Sequence, residues 1–202
     1  MTNEATLVDT ALGPIEVSES GEGPALLVLH GTLGGWDQSM AMSRTIVPAG
    51  YRILAVSRPG YLGTPLALGK RPEAQADLCA ALLDALGIDA AGVVGLSGGG
   101  PTALQFALRH PARTWGLLLV STCAGKTVTM TPPFVFKIAA QLTRWSWLSR
   151  KMRAQMAGNL HNAAKMFISD PEVLNRTLAD PEAGPLLSEF VLGTVHQMYL
   201  RV

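Results

Sequence analysis

Val93-Val94-Gly95-Leu96-Ser97-Gly98-Gly99-Gly100-Pro101 constrains this chain more than any other stretch. An apolar run of strand length passes through a cluster of glycines into a helical pattern, which demands a sharp turn between a buried strand and a helix. Gly95-Leu96-Ser97-Gly98-Gly99 fits the G-x-S-x-G nucleophile elbow, in which a serine on such a turn projects its hydroxyl from the top of a sheet. Flanking glycines are needed there because side chains would collide with neighbouring backbone. Ser97 is therefore the candidate nucleophile. The amide of Gly98 lies at the start of the following helix, where free N–H groups and the helix dipole favour an oxyanion.

The flanking chain places this turn in a larger pattern. Short alternating stretches from Leu7 to Val17, on either side of Gly13-Pro14, predict an opening antiparallel hairpin. Ala25-Leu26-Leu27-Val28-Leu29 is a continuous apolar run, as expected of a parallel strand buried on both faces, and it ends in the glycine-rich loop His30-Gly31-Thr32-Leu33-Gly34-Gly35. A helix is expected from about Trp36 to Val47, stopped by Pro48 and Gly50. Tyr51–Val56 reads as the next strand, followed by the turn-rich loop Ser57-Arg58-Pro59-Gly60-Tyr61-Leu62-Gly63-Thr64-Pro65. Pro72 at a helix start, Glu73 in its first turn and Gly87 after its end delimit an amphipathic helix carrying Leu78, Leu82, Ala85 and Leu86. Beyond the serine turn, Thr102–Arg109 continues as a helix until Pro111, and Trp115–Val120 reads as another buried strand. Strands alternating with helices imply parallel pairing through right-handed crossovers, hence an α/β fold: a mostly parallel sheet with helices on both faces.

From Ala124 to Val202 the periodicity is helical, about four helices broken by Pro132-Pro133, Asp170-Pro171, Asp180-Pro181 and Gly184-Pro185. Phe134, Phe136, Trp145, Trp147, Met152, Met156, Met166 and Phe167 make this segment rich in bulky apolar side chains, better explained by helix packing than by a pocket. Two divisions follow: residues 1–123, part of an α/β core, and residues 124–202, a helical subdomain.

Composition narrows the function classes. A chain of 202 residues with 48% hydrophobic side chains can bury a substantial core, and a net charge of +1 without basic runs gives no reason to expect nucleic acid. Small substrates of little charge fit better. Cys79 and Cys123 form no metal or disulfide framework and read as core thiols of a reducing compartment. Met1-Thr2-Asn3-Glu4 opens no signal peptide and no apolar run has the length of a membrane span, so the expected location is the cytoplasm. No metal or other cofactor is called for.

In its first 123 residues the chain resembles the α/β-hydrolase superfamily, in particular the capped branch of small esterases, proline iminopeptidases, cofactor-free haloperoxidases and C–C bond hydrolases. His30-Gly31 after one strand, the Ser57–Gly63 loop after the next and the Ser97 elbow after the third carry the likeness in order. The resemblance implies that the residue after His-Gly, Thr32, gives a backbone N–H to the oxyanion hole alongside Gly98. It also implies that residues 124–202 form a helical cap, and that the core is incomplete at its C-terminal edge.

A serine is a weak nucleophile until an oriented base takes its proton. The superfamily's acid and histidine follow later strands, and the position after Trp115–Val120 reads Ser121-Thr122-Cys123, without a carboxylate. His30 belongs to the oxyanion loop, where holding that loop is the expected role, and His110 reads as a surface or capping residue. His161 and His196 fall in the cap-like segment. His196 follows Asp170 and Asp180, so the order serine, acid, histidine is formally available, but its surroundings read as a helix face and both aspartates as helix starts. The expectation is a serine hydrolase acting through an acyl-enzyme on a small, largely apolar ester or related acyl substrate. Its acid and histidine are expected on a second polypeptide or a further segment, since an exposed sheet edge needs a partner. The alternative is a non-catalytic ligand-binding or partner subunit on the same fold.

Overall fold

The computed structural model describes residues 4–32, 34–122, 151, 154–155, 158–165 and 167–198, with side chains as far as residue 192. The chain divides into two compact units, Met1–Lys126 and Thr127–Val202.

In the first unit six strands form one sheet: β1 (Ala5–Thr10), β2 (Gly13–Ser20), β3 (Ala25–Leu29), β4 (Arg52–Val56), β5 (Ala91–Leu96) and β6 (Thr114–Val120), in the spatial order β1-β2-β4-β3-β5-β6. The opening hairpin is antiparallel, with its turn at Ala11-Leu12 rather than at Gly13-Pro14, and β2 runs antiparallel to β4. The other pairs are parallel. Helices α1 (Trp36–Ile46), α2 (Pro72–Ala85) and α3 (Gly100–Arg109) are the crossovers.

Crossover handedness decides which face each helix covers. The chain steps from β3 to β4 in one direction and then, across β3, to β5 and β6 in the other, so right-handed connections place α1 on one face and α2 and α3 on the opposite face. The packing agrees, residue by residue. Met40 and Met42 of α1 cluster with Leu26, Val28, Ile53, Ala55 and Val94. Leu78 and Leu82 of α2 and Ala103 and Phe106 of α3 cluster with the alternate strand residues Leu27, Leu29, Leu54 and Val93. Strands covered on both faces must be apolar at every position, which is why β3 is uninterrupted Ala-Leu-Leu-Val-Leu. Cys79 belongs to the larger cluster, where burial pushes its thiol up to about 12 and keeps it unreactive.

One strand departs from expectation. Trp115–Val120 reads as buried, yet Trp115, Leu117, Leu118 and Leu119 are 37–50% exposed. The strand is the last in the sheet and among the described residues pairs only with β5, which leaves these side chains partly exposed. Beside it, Leu26, Tyr51, Val94, Trp115 and Leu117 line an apolar groove of about 240 Å³.

Asp77 of α2 accepts hydrogen bonds from Arg109 Nε and Nη2 (2.9 and 2.7 Å) and lies 2.9 Å from Nε2 of His110, tying α2 to the end of α3. His110, expected at a helix end, thus has a specific carboxylate partner. Arg109 foremost, and His110 with it, hold the Asp77 carboxyl below its ordinary value of 3.8. A depressed folded pKa adds stability that is present above the ordinary value and lost as pH falls through the folded one. Asp77→Asn is expected to melt lower than wild type at pH 7, with the gap closing as pH is taken below 3.8 in parallel thermal scans.

In the second unit, helices Leu160–Ala164, Pro171–Ala179 and Ala183–Met198 surround a small core of Ala163, Ala164, Leu174 and Val191. Phe167 packs edge-on against Phe190, with ring centroids 5.1 Å apart. Phe134, Phe136, Trp145, Trp147, Met152, Met156, Met166 and Cys123 lie outside the described residues. Among the described residues no helix is long and apolar enough to cross a membrane.

Candidate active site

Because β3, β4, β5 and β6 are parallel, their carboxyl ends share one rim, where Leu29 pairs with Val56 and Gly95, and Leu96 with Val120. The chain leaves β3 toward β4 on one side and β5 toward β6 on the other. In open α/β sheets ligands bind where the direction changes, which here falls between the loops after β3 and β5.

Ser97 stands at this point with φ +46°, in the left-handed region that an L side chain enters at a cost of about 1–2 kcal/mol. A short 3-10 turn, Ser97–Gly99, joins β5 to α3. The turn lies so close to β3 that a Cβ on Gly99 would stand 2.6 Å from the His30 carbonyl oxygen and collide with that of Leu29. A Cβ on Gly98 would collide with Thr32 Oγ1 and stand 3.2 Å from Thr32 N. Both expected oxyanion donors are therefore neighbours. Ser97 and Gly98 are half-buried and Thr32 is exposed.

The loop after β3 is fastened on several sides. Gly31 N–H donates to Gln38 Oε1 of α1 (2.8 Å). The fully buried His30 accepts the Arg58 backbone N–H at Nε2 (3.0 Å), which leaves its proton on Nδ1, 2.7 Å from the Gly31 carbonyl oxygen. Arg58 Nε donates to His30 O (3.1 Å) and Nη2 to Gly31 O (3.0 Å). The Tyr61 hydroxyl donates to Thr32 O (2.8 Å), and its ring meets the His30 ring at a centroid distance of 4.5 Å and lies under the Arg58 guanidinium at 4.8 Å. Beneath this, Ser57 Oγ donates to Glu16 Oε2 (2.6 Å) and accepts from Trp36 N–H (3.2 Å), and Glu16 Oε2 also takes the Gly63 N–H (3.2 Å). Arg58, Tyr61, Gln38 and Glu16 carried no functional expectation; the signal was present only as an unassigned Ser57–Gly63 motif beside His30-Gly31.

His30 is thus occupied in holding its own loop. Among the described residues no histidine or carboxylate hydrogen-bonds Ser97. Asp170 caps its helix through the N–H groups of Glu172 and Val173, and Asp180 accepts those of Glu182 and Ala183, which hold its carboxyl below the usual range. Both behave as the helix-start residues that their position before proline implies. His161 lies in the helix Leu160–Ala164; His196 lies in Ala183–Met198, its side chain outside the described residues. Among the described residues no cluster of His, Cys, Asp and Glu can hold a metal ion.

A mixed sheet in this strand order, with a strained serine turn after β5, is the architecture of an α/β hydrolase. The family model described as alpha/beta hydrolase fold matches residues 24–181, and the chain belongs to that family. It is 37% identical over 111 residues to the 2-hydroxy-6-oxo-6-phenylhexa-2,4-dienoate hydrolase of Comamonas testosteroni, a match covering 52% of this chain and 39% of that protein. It is 28% identical over 173 residues to a 2-hydroxy-6-oxononadienedioate/2-hydroxy-6-oxononatrienedioate hydrolase of Pseudomonas, covering 82% and 58%. The chain spans 39% to 58% of the length of these curated relatives. Among solved structures it superposes on an alpha/beta hydrolase fold protein of Nakamurella multipartita with TM-score 0.80 and 34% identity, over 96% of this chain and 69% of that one.

Proposed function

We propose that the chain is the nucleophile-bearing part of a serine hydrolase that works through an acyl-enzyme. Ser97 Oγ attacks a substrate carbonyl, the N–H groups of Thr32 and Gly98 receive the developing oxyanion, and a histidine paired with an acid moves the proton before water releases the acyl group. The observation that carries this reading is Ser97 itself. A strained, half-buried serine on a turn packed against Thr32 has little use in a fold that does no chemistry. The substrate is a small, largely apolar ester or related acyl compound. The names of the curated relatives supply a second class, the 2-hydroxy-6-oxo-dienoates, in which a ketone carbonyl would be attacked and a C–C bond broken.

The acid and histidine would then lie on strands that continue the sheet beyond β6, carried by a second polypeptide or a further segment, with residues 124–202 taking the role of a cap. The partly exposed apolar side chains of β6 support this, because an edge that among the described residues has no outer partner and bears Trp115, Leu117 and Leu118 invites strand pairing. Native mass spectrometry should find the chain with the complementing piece; a lone, active chain would overturn this placement. The test of the nucleophile is a fluorophosphonate probe in extract of the source cells, with the labelled peptides sequenced. Label on Ser97, abolished in Ser97→Ala, is the expected result; an unlabelled Ser97 among other labelled serine hydrolases would favour a non-catalytic binding subunit.

A further inference from the structure

Arg58 is a buried cation that the reaction scheme does not use. It is 7% exposed, and among the described residues its side-chain hydrogen bonds go to carbonyl oxygens rather than to a carboxylate: His30 O, Gly31 O and, at 3.4 Å, Gln75 Oε1. Burial lowers its pKa, with Tyr61 opposing, yet a guanidinium stays protonated in such surroundings. A buried charge without an opposite charge is costly, so a use for it is to be sought in what it touches.

It touches the peptide that carries an oxyanion donor. Gly31 C=O and Thr32 N–H belong to one peptide unit, and with no cis peptide in the described chain they point in opposite directions across its plane. Fixing the carbonyl fixes the N–H. The Gly31 oxygen takes Arg58 Nη2 at 3.0 Å and His30 Nδ1 at 2.7 Å, while Gln38 restrains Gly31 from its other end and Tyr61 the Thr32 carbonyl. A positive donor on a carbonyl also draws electron density from the amide and makes the N–H of that unit a stronger donor, the usual cooperativity of hydrogen-bond chains in a low-dielectric setting.

We propose that Arg58 is a positioning residue for hydrolysis: its guanidinium, acting through the Gly31 carbonyl with the His30 ring, orients and polarises the Thr32 N–H that receives the oxyanion. This rests on the reading of Thr32 as an oxyanion donor. The charge is delivered along one peptide unit, without touching substrate, so its effect belongs to the transition state and not to substrate binding.

The test compares wild type, Arg58→Met and Arg58→Lys as the assembled hydrolase. Arg58→Met keeps an unbranched side chain and removes every side-chain donor, while the backbone N–H to His30 remains. It should lower kcat about tenfold to a hundredfold with KM nearly unchanged, less than the hundred- to thousandfold that follows outright loss of a donor. Affinity for an alkyl boronic acid, which forms a tetrahedral adduct on the serine, should fall by the same factor. Arg58→Lys, able to donate to one carbonyl, should recover part of both losses. A loss that appears in KM, or unchanged boronate affinity per folded molecule, overturns the proposal. If Arg58→Met fails to fold, the lysine variant carries the comparison. The Gly31 carbonyl 13C resonance gives a reading without turnover: an upfield move in Arg58→Lys supports polarisation, and an unmoved resonance overturns it. A wild-type chain whose Ser97 takes no phosphonate defeats the hydrolase reading instead, and the resonance still decides whether Arg58 polarises the peptide.

Discussion

Ser97→Ala is expected to lower kcat of the assembled hydrolase about a millionfold, the loss seen when the nucleophile of a serine triad is removed, while leaving substrate binding nearly intact. The residual rate, still about a thousandfold or more above water, would come from Thr32, Gly98 and substrate positioning. Stability should respond differently. Alanine at φ +46° keeps the same backbone strain as serine, so the melting temperature should not move. Ser97→Gly removes the Cβ responsible for the strain and should lose as much activity while gaining about 1 kcal/mol, part of it offset by the freedom glycine adds to the unfolded chain. Activity falling as stability rises would mark the strain as serving chemistry. A Ser97→Ala protein within tenfold of wild type would move the nucleophile elsewhere.

Phe106→Ala should produce the largest loss of stability. Phe106 is fully buried on α3, the helix that begins at the serine turn, and it belongs to the cluster joining α2 and α3 to the sheet. Truncating so large a side chain in a packed core costs about 3–5 kcal/mol, from lost burial and from the cavity left behind. In a protein of this size that is roughly 6–20 °C in melting temperature. Leu108, two residues along the same helix and 72% exposed, is the internal control. Leu108→Ala should lie within about 0.5 kcal/mol of wild type. Equal costs at the two positions would contradict the orientation of α3.

The serine turn and the order of strands and helices were legible in the sequence because both rest on local signals. A glycine cluster between an apolar run and a helical pattern admits few conformations, and Pro72 and Gly87 bracket α2 on chemistry confined to its two ends. The state of β6 was not legible. Trp-Gly-Leu-Leu-Leu-Val reads like the fully buried Ala-Leu-Leu-Val-Leu of β3, since an apolar run records what a strand is suited to lie against and not what is there. The frame behind the oxyanion loop escaped for a related reason. Arg58 and Gln38 are residue types expected at the surface, and only the fold brings a guanidinium to the carbonyls of His30 and Gly31, 28 and 27 positions away. His30 stood out as a histidine beside a glycine, and its structural role became definite once both ring nitrogens were seen to be engaged within the loop and its neighbour.

The central claim is that substrate becomes covalently attached to Ser97. The most direct measurement is the intact mass of the chain after the assembled hydrolase is mixed with a slowly hydrolysed small ester and quenched in acid during turnover. A mass increase equal to the acyl group, mapped to Ser97 and absent from Ser97→Ala, is the predicted result; steady turnover with no acylated chain, or the acyl group on another residue, would contradict it.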